Sequence, residues 1–208
     1  MKKCVLLLVM FITYIGFAQR DKAAVMTQVN EFTAKLDQQG IDRYFTTTRY
    51  CIGSVEMFRM PDGTRCASQG TYYEVYVVWQ ERNGTTQLKK VDNCGMFDTI
   101  SLSDASVFDF FTANVNTLQD EEVKPYQVAN PQNSPTLRTE VHPCRRQFSF
   151  TDDRNTISKE YRLYDLTNAS EQRNLNYNHN TSLKLVTLDQ MMDSVLSQHS
   201  TSFRRMQL

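Results

Sequence analysis

The sequence predicts an α+β fold: a mostly antiparallel sheet with helices packed on one face, and long N-terminal and C-terminal helices. Three observations carry that expectation. The apolar residues near both ends recur at helical spacing, those of residues 44–91 and 139–166 recur at strand spacing, and strands and helices do not alternate as a parallel βαβ sheet requires.

Ahead of the first helix, Met1, Lys2 and Lys3 precede an apolar run from Cys4 to Ile15 that ends in Gly16, Phe17 and Ala18. A charged start, about a dozen apolar residues and small residues before a polar continuation make a secretory signal, with cleavage expected after Ala18. A membrane anchor needs about 20 apolar residues, which this run does not reach. Cys4 precedes the cleavage point, which argues against a lipoprotein. The short lysine start has a bacterial character, so the expected location is periplasmic or extracellular.

Val25, Val29, Phe32 and Leu36 then define an amphipathic helix that stops near Gly40, a residue suited to a left-handed cap. Thr46, Thr47 and Thr48 open a strand region, and Val55 to Met60 with the turn Pro61-Asp62-Gly63-Thr64 read as a hairpin. The strongest strand runs from Thr71 to Glu81, with Tyr73, Val75, Val77 and Trp79 on one face and Tyr72, Tyr76 and Val78 on the other. Apolar groups on both faces indicate a central strand, or one with a face open to a ligand. Asn83-Gly84 turns it back into Thr85 to Val91.

Ser101 or Ser103 is positioned to cap a helix bearing Val107, Phe108, Phe111, Val115 and Leu118. The stretch 123–138 holds Pro125, Pro131 and Pro135 and is expected as a surface loop within a single domain of residues 19–208. Strands are expected at Thr139 to Phe150, where Pro143 marks an edge or bulge, and at Thr156 to Leu166. The asparagines at 174, 176, 178 and 180 read as an irregular loop or a polar edge strand. A short strand, Leu183 to Val186, precedes a helix begun by Thr187 with Gln190 completing a capping box.

Hydrophobic residues make up 40% of the chain and charged ones 22%, with 23 basic residues balancing 23 acidic ones. That composition belongs to a globular protein and supplies no basic surface for nucleic acid. Cys51, Cys66, Cys94 and Cys144 survive signal cleavage, and an even number in an exported chain indicates disulfides. Three pairings are open; since only Cys144 follows the Pro-rich stretch, full oxidation sends one bridge across it.

Catalytic signatures are sparse. His142 and Cys144 lie two apart with Pro143 between them, a poor base and thiol pair, so Cys144 reads as half a disulfide. Asp152, Asp153 and Asn155 lack the spacing of a calcium loop. Pairs drawn from Glu74, Asp92, Asp98 and Glu160 are too general to indicate glycoside hydrolysis. No P-loop, G-x-G-x-x-G or G-x-S-x-G occurs, so no catalytic residue, metal or cofactor is assigned. The tripeptides beginning at Asn83, Asn168 and Asn180 are glycosylation sequons, relevant only in a host that modifies them. The aromatic set Tyr72, Tyr73, Tyr76 and Trp79 is the expected ligand-binding feature, because rings on a sheet stack against sugars, peptides or other apolar groups. The expectation is an exported non-catalytic domain that binds a ligand or envelope protein through a sheet face or loop, without stable membrane insertion after signal cleavage. The alternative is a small secreted hydrolase assembled from dispersed Asp, Glu or His, or a free Cys.

Overall fold

A computed structural model describes residues 21–130, 134–153, 155–168 and 171–206. The proposed signal, residues 1–18, lies outside them. Helix α1 (Lys22–Gln38) begins where the Asp21 carboxylate accepts a hydrogen bond from the Ala24 amide at 3.0 Å. It ends in a Schellman motif: Gly40, at φ +76°, lets the Ile41 amide reach the Leu36 carbonyl at 2.9 Å.

The strands follow as β1 (Tyr44–Cys51), β2 (Met57–Arg59), β3 (Arg65–Ala67), β4 (Tyr73–Gln80), β5 (Thr86–Asp92), β6 (Gly95–Met96) and β7 (Ile100–Ser101). After helix α2 (Ser106–Asp120) come β8 (Gln127–Val128), β9 (Thr136–Leu137), β10 (Cys144–Asp152) and β11 (Asn155–Arg162). A 3₁₀ turn (Leu163–Leu166) and helices α3 (Tyr177–Thr181) and α4 (Lys184–Gln198) complete the chain. The main sheet runs β11-β10-β1-β4-β5-β6, with β7 also on β5, and every pair is antiparallel. Strand β4 is central, as its two apolar faces require. The α+β class and the antiparallel sheet agree with the sequence.

The helices are divided between the two faces, which corrects the expectation of one covered face. Helix α1 buries Val25, Val29 and Leu36 against Val75, Val77 and Trp79 of β4 and Val91 of β5. Helices α2 and α4 pack on the other side, where Phe111, Leu118, Leu188 and Met192 meet Phe45, Tyr76, Val78, Phe148 and Phe150. The physical reason is β4 itself, since a strand apolar on both faces must be covered twice.

Several boundaries move for reasons of long-range bonding. The Asp104 carboxylate, rather than Ser101 or Ser103, meets the Ser106 amide and hydroxyl at 2.8 Å each at the start of α2, because Ser101 is taken up by β7. Residues 184–186 are helical, not strand: Glu121 accepts from the amides of Lys184 (3.0 Å) and Leu185 (2.8 Å), so α4 starts ahead of the Thr187 capping box. Strand β10 starts only at Cys144, after His142 turns the chain at φ +59°.

The Pro-rich segment is tied down. Tyr126 is fully buried and Val128 nearly so. The asparagine run that follows contributes a buried clamp rather than an edge strand. Asn180 donates to the carbonyls of Lys124 and Asp165, each at 2.8 Å, and accepts from the Lys124 amide at 2.9 Å. Asn174 accepts from the Gln127 amide at 3.2 Å and donates to the Asp165 carbonyl at 2.9 Å. Asp165, buried beside Arg162, accepts from the Tyr126 amide at 2.8 Å. Side-chain amides thus replace a ladder, because they satisfy donors and acceptors on irregular backbone.

Candidate functional site

All four cysteines among the described residues are paired. Cys51–Cys144 joins directly opposed positions of β1 and β10 and crosses the Pro-rich segment, and Cys66–Cys94 ties the β2–β3 hairpin to the end of β5. A cysteine nucleophile at Cys144 is therefore excluded. His142 instead places Nδ1 3.2 Å from the Ile52 carbonyl, on the neighbouring strand end.

The four aromatic residues singled out on β4 do not form one platform. Trp79 (3% exposed) packs edge-on against Phe32 of α1, with its indole N–H donating to Glu81 at 2.9 Å. Tyr76 (5% exposed) lies on the opposite face, its ring 5.9 Å from that of Phe203. Tyr72 donates to Asp92 at 2.9 Å and packs on Phe58. Tyr73 is the one of the four beside an open surface: its ring lies 4.9 Å from Tyr50, with the Lys22 ammonium above both.

That open surface exists because α1 covers β4 and β5 but leaves the same face of β10 and β11 bare. Register places Tyr50, Arg145, Gln147, Ser149, Ser158 and Glu160 together on it. Arg145 pairs with Glu160, Tyr50 donates to Glu160 at 3.1 Å, and the Ser149 and Ser158 hydroxyls meet at 2.8 Å. Burial, reinforced by the Glu160 charge, pushes the Tyr50 phenol up to about 12. The Glu160 hydrogen bond raises the Arg145 pKa further. Beyond Arg145 the surface descends into a depression of about 340 Å³, walled by Glu122, by Val123 and Pro125 of the Pro-rich segment and by Arg145, Glu160 and Arg162 of the sheet.

The opposite face carries a feature that the sequence did not disclose. Tyr161, Arg146, Arg49, Glu74 and Asp92 stand in one register row across β11, β10, β1, β4 and β5. Asp189 of α4 accepts from Arg49 (2.7 Å) and Tyr161 (2.7 Å) and lies 3.4 Å from Arg146, while Asp193 pairs with Arg49. Burial pushes the Asp189 carboxyl up against the opposing pull of the two guanidiniums, and pushes the Tyr161 phenol well above its ordinary value. At the other end Glu74 pairs with Lys90, and Asp92 with Arg205. The row binds α4 and the C-terminal segment to the sheet.

Among the described residues no group of His, Cys, Asp and Glu is placed to hold a metal ion, and no helix is long and apolar enough to cross a membrane. No family model matches this chain, and neither the curated proteins nor the solved structures contain a match to it.

Proposed function

We propose that the chain is an exported, non-catalytic binding domain of the periplasm or cell exterior, which engages a ligand or protein partner through the open face of β10 and β11 and the adjoining Pro-rich segment. The leader of Met1 to Ala18 supports export, and two disulfides suit an oxidising compartment.

The observation that carries the binding reading is the bare half of the sheet. It presents an aromatic pair, Tyr50 and Tyr73, a fixed ion pair and a row of hydroxyls on rigid strands, next to a depression that both the sheet and the Pro-rich segment line. Rigid strands hold such groups at low entropic cost on binding. This moves the aromatic contribution from the β4 set as a whole to Tyr73 and its neighbour Tyr50.

Photo-crosslinking in cells that export the protein tests the reading. A photoreactive residue at Ser158, on the open face, is compared with one at Asn116, exposed on α2 across the sheet. Specific adducts at Ser158 that vanish with Arg145→Glu in the same chain are expected. Equal labelling at both positions, or none at Ser158, contradicts it.

A further inference from the structure

The C-terminal segment ends the described chain as a bound peptide would. Arg205 donates from both terminal nitrogens to the two oxygens of Asp92, at 2.6 and 2.7 Å, and Asp92 is fully buried. Its guanidinium carbon lies 4.3 Å from the ring centre of Phe97 and 5.3 Å from that of Phe58. A two-pronged carboxylate contact with aromatic rings beside the guanidinium is the chemistry that selects arginine over lysine. Phe203, two residues earlier and on the same side of the extended chain, places its ring 6.1 Å from that of Phe97, while Arg204 between them is exposed.

The backbone attachment is slight. Arg205 forms an isolated antiparallel bridge with Phe97, supported by hydrogen bonds from the Asp98 amide to the Arg204 carbonyl (2.7 Å) and from the Met206 amide to the Met96 carbonyl (2.9 Å). The slot has supports other than the segment. Asp92 also accepts from Tyr72 and from the Cys94 amide (2.7 Å), and the Cys66–Cys94 bridge ties the hairpin that bears Phe58 to the same corner. Besides the Arg205–Asp92 pair and the Phe203 ring, only these few edge bonds hold the segment, so its opening breaks fewer backbone bonds than opening of the sheet beneath it. A buried carboxylate left without its cation is unfavourable, and the two-pronged, ring-flanked geometry at Asp92 favours a guanidinium as the group that restores the pair.

We infer that the Asp92 slot is an arginine-peptide receptor: the chain's own Phe203-Arg204-Arg205 fills it in cis, and an aromatic-x-arginine segment of another polypeptide takes it when the native segment is withdrawn. Recognition is strand addition anchored by one arginine and one ring. The site lies across the sheet from the open face of β10 and β11 and does not depend on it.

The test is fluorescence anisotropy with a labelled peptide of residues 201–208 and the full-length mature protein. The wild-type slot is occupied, so its apparent affinity is the intrinsic affinity multiplied by the small fraction of molecules in which the slot is open. Arg205→Ala protein is expected to bind the peptide at least tenfold more tightly than wild type. A peptide carrying Arg204→Ala should bind as well as the native one, and a peptide carrying Arg205→Ala should not bind. Folded Arg205→Ala protein that binds neither peptide, or binds the native and the Arg205→Ala peptide alike, overturns the inference. If Arg205→Ala does not fold, Arg205→Lys retains the charge without the two-pronged contact. Peptide affinity several-fold above wild type is then expected, and affinity equal to wild type overturns the inference.

Discussion

Arg49 of β1 and Asp189 of α4 meet at 2.7 Å between the sheet and the C-terminal helix, with 9% and 6% of their side chains exposed. Each is the other's main compensation for leaving water. Asp189→Ala leaves Arg49 with only the half-exposed Asp193 and takes the carboxylate from Arg146 and Tyr161, so it is expected to lower stability by about 3–5 kcal/mol in urea denaturation. Asp193→Ala, which removes the half-exposed partner of the same arginine, should cost under about 1 kcal/mol.

Four phenols resist ionisation. Burial raises Tyr50 to about 12 and lifts Tyr72, Tyr76 and Tyr161 further, with Glu160, Asp92, Glu74 and Asp189 adding to the respective shifts. A group whose folded pKa exceeds its unfolded value binds more protons when folded, so its stabilisation is complete below the unfolded value, about 10, and is lost as pH rises past it. Ultraviolet titration should show these phenols ionising only together with loss of near-ultraviolet circular dichroism. Full ionisation of all tyrosines with the fold intact contradicts this.

The two disulfides should differ in weight. They close segments with sequence separations of 93 and 28 residues. Restriction of the unfolded chain alone corresponds to about 4.7 kcal/mol for Cys51–Cys144 and about 3.6 kcal/mol for Cys66–Cys94. Denaturation of the paired Cys-to-Ala variants should rank them in that order.

Asn180 holds three backbone groups of the Pro-rich segment and the 3₁₀ turn. Asn180→Ala strips the Lys124 amide and carbonyl of this partner and leaves the Asp165 carbonyl with Asn174 alone, and should cost about 1–2 kcal/mol. Limited proteolysis of this variant should cut within residues 123–138 before any site in the sheet. Cleavage at the wild-type rate contradicts the clamp.

Local signals were legible. Helix α1, the β2–β3 hairpin and the β4–β5 hairpin announce themselves through periodicity and turn residues a few positions apart. The turn after β4 has the Gly84 φ of +85° that Asn-Gly suggests, although the Glu81 amide bonds to Thr85 across a wider loop. What stayed hidden depends on partners far along the chain. Glu121 caps a helix that begins 63 residues later. The charged row requires knowing that β1 lies between β4 and β10, and Arg146 in isolation reads as a surface residue. The asparagine clamp was concealed because asparagine is common in exposed loops, where the same amides would meet water. The division of helices between both faces was implicit in the two apolar sides of β4, but not which helix takes which side. The open face emerged only once α1 was seen to cover half of its side of the sheet.

The proposed binding role requires that the chain be exported and closed by two disulfides. Peptide mass spectrometry of the secreted or periplasmic protein, alkylated without and then with reduction, tests this most directly. The expected result is an amino terminus at Gln19, no free thiol, and linked peptides joining Cys51 to Cys144 and Cys66 to Cys94. A chain that retains Met1 inside the cell, or an alkylated Cys144, contradicts it.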